Sequence, residues 1–146
     1  MRRKTIGDKI RINQSLVHNK NVSPEDRRNA YLNLKRLNDI LKPGGIVKAK
    51  NSKIRDIYND NPKDVHHLII NDVNKDNSFI TNTISHTPFR PKNKNFYSLS
   101  IKSNVHLVKN SSFRKNEFIT KDNVFESKLN GKISHSDFEF IKKNSV

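Results

Sequence analysis

The sequence predicts an α+β fold, mainly β with flanking helices: one long N-terminal helix, a series of short strands, and a short terminal helix. Three observations carry this. The stretch SPEDRRNAYLNLKRLNDILKPGG has the start, the periodicity and the stop of a helix. The strand-like runs after it are short and separated by turn residues. No helical crossover lies between them, so they pair antiparallel, as a small barrel or sandwich.

Each element has a local cause. Residues 1–22 are basic and weakly patterned, with Arg2, Arg3, Lys4, Lys9 and Arg11. They read as a basic N-terminal arm apart from a single domain over 23–146. The segment is an arm, a first strand or a tail that folds on binding; its charges suit phosphate contacts, and a solvated terminus is the plainer alternative. The helix over about 24–42 has Ser23 as N-cap, Pro24 at its first position, and Glu25 and Asp26 in its first turn. Tyr31, Leu34, Leu37 and Leu41 recur at helical spacing, with Ala30 and Ile40 at the edges of the stripe. Arg27, Arg28, Lys35 and Arg36 fall on the outer face, which is either merely solvated or lies against RNA. Pro43-Gly44-Gly45 ends the helix.

Strands follow: GIVKAK (45–50), VHHLII (65–70), SFITNTIS (78–85), FYSLSIKS (96–103), VHLVK (105–109), and one more within EFITKDNVFES (117–127). The turn NDVNKDN is rich in Asn and Asp, which bond their own backbone and tolerate left-handed conformations. HTPFRPKNKN (86–95) is a basic loop stiffened by Pro88 and Pro91. After a turn at Gly131, Ser134 and Asp137 frame a short helix over about 135–143, with Phe138 and Ile141 facing inward.

Composition limits the function. The chain has 146 residues, 32% of them hydrophobic, which suits one domain with a compact core. Its 29 Lys and Arg against 14 Asp and Glu give a formal charge of +15. That field favours nucleic acid or an acidic protein partner. An A/T-biased genome also enriches Lys, Asn and Ile, but it should enrich Glu as well, and only Glu25, Glu117, Glu126 and Glu139 are present. Without cysteine there is neither a disulfide nor a thiolate metal site. No cofactor or metal is expected. No apolar run reaches membrane-span length and MRRKTIGDKIRI lacks the apolar centre of a signal peptide, so the expected location is the cytoplasm.

The chemistry concentrates on VHHLIIND…FITNTISHT. If the loop 72–77 closes a hairpin, the start of the strand 65–70 lies beside the end of 78–85. His66 or His67 then approaches Ser85, His86 and Thr87. Alternation sends His66 and His67 to opposite faces, so one of them at most joins His86. Histidine serves as acid or base near neutral pH, and Arg90 can hold a phosphate in bidentate fashion. Lys92 and Lys94 followed by Phe96 and Tyr97 suit phosphate contact and base stacking; Phe96 or Tyr97 as core is the plainer alternative. His18, His106 and His135 stand alone.

Residues 43–143 resemble the MazF/PemK-like toxins. Gly45-Ile46-Val47 stands where that family opens its first strand. Leu68-Ile69-Ile70-Asn71-Asp72 resembles its second strand, Ile84-Ser85-His86-Thr87 its third, and Gly131-Lys132-Ile133-Ser134…Phe138…Ile141 its last turn and helix. His66-His67 occupies the region of the family's Arg-Pro. The resemblance implies a small SH3-like antiparallel barrel, metal-independent cleavage of single-stranded RNA, a homodimer, and an acidic antitoxin covering the groove. His67 or His66 would exchange protons with His86 while Arg90 and nearby lysines hold the phosphate. Arg2, Arg3 and Lys4 would add phosphate contacts from the arm. Two other readings compete: a non-catalytic nucleic-acid-binding barrel, such as a regulator or RNA chaperone, and a small phage or plasmid inhibitor of another protein.

Overall fold

A computed structural model describes residues 3–54, 64–85, 96–98, 112–114, 117–127 and 133–144. The stretch read as a basic arm contains a helix, α1, Ile6–Val17. A reciprocal cap starts it: the Asp8 N–H donates to Thr5 Oγ1 at 3.1 Å, and the Thr5 N–H donates to Asp8 Oδ2 at 3.0 Å. Helix α2, Pro24–Ile40, starts as its sequence requires, with the Asp26 N–H donating to Ser23 Oγ at 3.1 Å. Its inward face is narrower than the apolar spacing suggests. Ala30, Leu37 and the C-cap Leu41 are buried, but Tyr31 is 60% exposed.

The strands are β1 (Ile46–Lys50), β2 (Val65–Val73), β3 (Phe79–Ser85), β4 (Phe96–Ser98), β5 (Ser112–Arg114), β6 (Glu117–Ile119) and β7 (Phe125–Glu126). Helix α3, His135–Asn144, follows. Ser134 accepts the Asp137 N–H at 3.4 Å, as a cap at that position should. All pairings are antiparallel, in the order β4–β5–β3–β2–β1–β7, with β6 also on β3. The expected closed barrel is not formed among the described residues. Among the described residues no pairing joins β7 to β4 or β6, and those three strands are only two or three residues long. One 3₁₀ turn, Lys121–Asn123, nonetheless carries the chain from β6 on one side of β1–β2–β3 to β7 on the other. So short a span demands a strongly curled sheet. The expected strand at 105–109 and the turn at Gly131 lie outside the described residues.

The β2–β3 hairpin is longer than the sequence pattern suggests. Strand β2 continues to Val73, with a bulge between Ile70 and Asp72. Asn71 lies at this bulge and donates from Nδ2 to Asn82 Oδ1 at 2.9 Å, so two buried amides satisfy each other. The turn itself needs Asn77 in a left-handed conformation at φ 66°. The Ser78 hydroxyl and N–H both donate to Asp76 Oδ1, which holds that carboxyl below its usual range.

Apolar residues cover both faces of the sheet. On one side Ile6 and Ile10 of α1 and Leu37 and Leu41 pack with Val47, Ala49, Leu68, Ile70, Ile119 and Val124. On the other, Ile46, Ile69 and Ile84 pack with Ile133 and Ile141, and Phe138 leans on them. Strand alternation divides the two sets: Val47 and Ala49 face the helical pair α1–α2, and Ile46 faces α3.

Candidate functional site

The register settles where each histidine of β2 points. His66 lies opposite Ala49, on the α1–α2 side of the sheet. His67 lies opposite Lys48 on β1 and Ile84 on β3, and paired positions share a face. His67 is therefore on the α3 side. It is half-buried there, and its Nε2 is 3.0 Å from Ser127 Oγ.

Followed through every pairing, the row containing His67 crosses six strands: Phe125, Lys48, His67, Ile84, Phe113 and Tyr97. Aromatic residues stand at both ends of this row, and a cation and an imidazole lie side by side within it. None of its members is a carboxylate. The Arg3 guanidinium sits 5.1 Å from the Phe125 ring centroid, and on α3 the Lys142 ammonium is 5.4 Å from the Phe138 centroid. Positive charge thus stands against the Phe125 end of the row and on α3.

The facing of β7 has its own cause. Glu126 takes the position opposite Val47, on the helical side, where Lys9 of α1 and Arg36 of α2 both hold its carboxylate. Alternation then leaves Ser127 for the His67 side. Burial alone would raise the Glu126 pKa, but the hydrogen bonds and charges of Lys9 and Arg36 outweigh it and hold the carboxyl below its ordinary value. The sign follows. A depressed carboxylate stabilises the fold above its unfolded-state value of about 4.3 and loses that contribution as pH falls through its lower folded value. A Glu126→Gln variant is expected to be less stable at pH 7 by about 1 kcal/mol, since both cations are partly solvated. Its stability is also expected to fall less steeply below about pH 4. Urea midpoints from pH 3 to 7 for parent and variant check both statements.

Several expected site residues can be placed. Ser85 pairs with Ser112 at the end of β3, next to Ile84 in the row. Phe96 and Tyr97 occupy β4 opposite Arg114 and Phe113. Lys4 is exposed just before α1. His86, Thr87, Arg90, Lys92, Lys94 and Arg2 lie outside the described residues. Two members were missed. Lys48 was visible only as the polar step in Ile46-Val47-Lys48-Ala49, and its neighbour across the ladder is fixed by register. Ser127 gives no local signal at all, being 60 positions from His67.

Among the described residues no group of three or more His, Cys, Asp or Glu side chains could hold a metal ion. Nor, among them, is any helix long and apolar enough to cross a membrane. No family model matches the chain, and no curated protein or solved structure matches it.

Proposed function

We propose that this protein is a metal-independent endoribonuclease acting on single-stranded RNA, and the toxin of a toxin–antitoxin pair in the cytoplasm. The observation that carries this reading is His67: half-buried, adjacent to Lys48, bonded to Ser127, and paired with Ile84 two residues before His86. That pairing is the reason for choosing His67 over His66. The single 3₁₀ turn that carries the chain from β6 beside β3 to β7 beside β1 supports an SH3-like arrangement of β1, β2, β3, β6 and β7.

RNA cleavage of this kind needs a base, an acid and cations. A base takes the proton of the 2′-hydroxyl, whose oxygen attacks the adjacent phosphorus. The phosphorus–O5′ bond breaks, an acid gives the leaving oxygen its proton, and a 2′,3′-cyclic phosphate remains. His67 and His86 fill the two proton-transfer roles. Ser127 positions the His67 ring through its contact with Nε2. Lys48 and Arg90 neutralise the charge that gathers on the phosphate. A second copy and an acidic antitoxin segment would complete and cover the groove.

The purified protein is expected to cut single-stranded RNA in EDTA. His67→Ala is expected to slow cutting by about 100-fold or more while far-ultraviolet circular dichroism stays unchanged. His66→Ala should cut within a few-fold of the parent rate. Full activity in the His67→Ala protein would sink the mechanism, and steeply salt-dependent RNA binding without cleavage would favour a non-catalytic binding protein.

A further inference from the structure

The cations on the helical pair divide into two sets. Lys9, Arg11, Arg36 and Lys42 each meet a carboxylate: Glu126, Asp8 with Asp122, Glu126 and Asp39 respectively. Arg27, Arg28 and Lys35 meet none among the described residues. All three surround Tyr31, at four and three positions before it and four after, which is one face of α2. Tyr31 is 60% exposed, and Leu32 beside it is 51% exposed. The Nε of Arg27 is buried with no hydrogen-bond partner. Glu25 and Asp26 stand a turn earlier, in the first turn of the helix, and form no ion pair with this set among the described residues.

Exposed aromatic surface flanked by unneutralised cations is the combination that holds single-stranded nucleic acid. Phosphates meet the cations and a base stacks on the ring. From Arg27 to Lys35 is eight residues, or about 12 Å along the helix, room for a few nucleotides. An acidic peptide would use the charges but gain little from a tyrosine placed between them. We infer that the face Arg27–Arg28–Tyr31–Lys35 of α2 is a second binding surface for single-stranded RNA. It lies on an element of the opposite sheet face from His67, and it stands whether or not His67 cleaves.

The test therefore measures binding alone. The probe is a fluorescent 2′-O-methyl oligouridine of about a dozen nucleotides, which cannot be cut through its 2′-oxygen; anisotropy is followed across a salt series. Arg28→Gln with Lys35→Gln should lower the affinity and reduce the log–log salt slope by about 1.4, the share of two phosphate contacts on a single strand. Tyr31→Ala should weaken binding about tenfold and leave the slope unchanged. These are exposed helix positions, so circular dichroism should not move. Parent affinity and slope in both variants would overturn the proposal. So would variants that keep RNA binding but lose binding of a polyglutamate peptide, which would assign the face to an acidic protein. Loss of cleavage in His67→Ala, or absence of cleavage altogether, leaves these outcomes unaffected.

Discussion

A Gly45→Ala variant is expected to lose about 4 kcal/mol of stability, a large part of the 5–15 kcal/mol that holds a domain of this kind together. A Cβ at Gly45 would stand 1.9 Å from the Ile40 carbonyl oxygen, 2.9 Å from its carbon and 3.0 Å from the Lys42 oxygen. All three are backbone atoms, so no side chain can swing aside. The turn itself must move, and four hydrogen bonds oppose that. The Gly44 N–H donates to Ile70 O at 2.7 Å, and the Ile70 N–H donates to Gly45 O at 2.9 Å. The Gly45 N–H donates to Lys42 O at 2.9 Å, and the Ile133 N–H donates to Gly44 O at 3.1 Å. The turn is thus pinned to β2 and to the segment leading into α3. Overpacking costs about 1–3 kcal/mol, and each backbone bond that breaks adds about 1 kcal/mol. Gly44→Ala is the control. Its φ of 89° makes any side chain strained, at about 1–2 kcal/mol, so it should hurt less. Urea denaturation of the three proteins gives the ranking, and a Gly45→Ala midpoint equal to the parent's would show that the turn can yield.

The same turn shows what a sequence reading reaches and where it stops. Pro43-Gly44-Gly45 was legible as a helix stop because glycine and proline act locally. The cap at Ser23 and the helix after Ser134 were legible for the same reason. Helix α1 was not, although Thr5 and Asp8 spell its cap. Its charges suggested a solvated arm, and its glycine and β-branched residues are poor helix formers. It owes its place to Ile6 and Ile10 meeting a core assembled from distant strands. Tyr31 was misjudged because periodicity gives the direction of an apolar stripe and not its width. At the site, alternation alone separated His66 from His67. Choosing between them needed the ladder, which depends on β1, β3 and β7 at once. Ser127 reaches His67 only through that ladder.

Helix α1 supplies the other large effect: a chain lacking residues 1–22 is expected to lose cooperative folding. Ile6 is fully buried and Ile10 nearly so, both in the cluster that includes Val47, Leu68 and Val124. The Ile6 N–H also donates to Val124 O at 2.8 Å, and Arg11 binds Asp122 at 2.8 Å, so the helix clasps the 3₁₀ turn at 121–123. Lys9 adds its contact to Glu126. Removing all of this strips α1 from the side of the sheet that it shares with α2, next to the turn that carries the chain from β6 to β7. A single truncation calibrates the loss. Ile6→Ala should cost about 3 kcal/mol, within the usual 2–5 kcal/mol for such a buried side chain. Ile12→Ala, on a residue 41% exposed, should stay within about 0.5 kcal/mol. An arm that only touches phosphates would give the reverse result: RNA affinity would fall on truncation, and the urea midpoint would not move. A truncated protein with the parent's midpoint and m-value would therefore remove α1 from the account of the core, because the surface it covers would have to be stable without it.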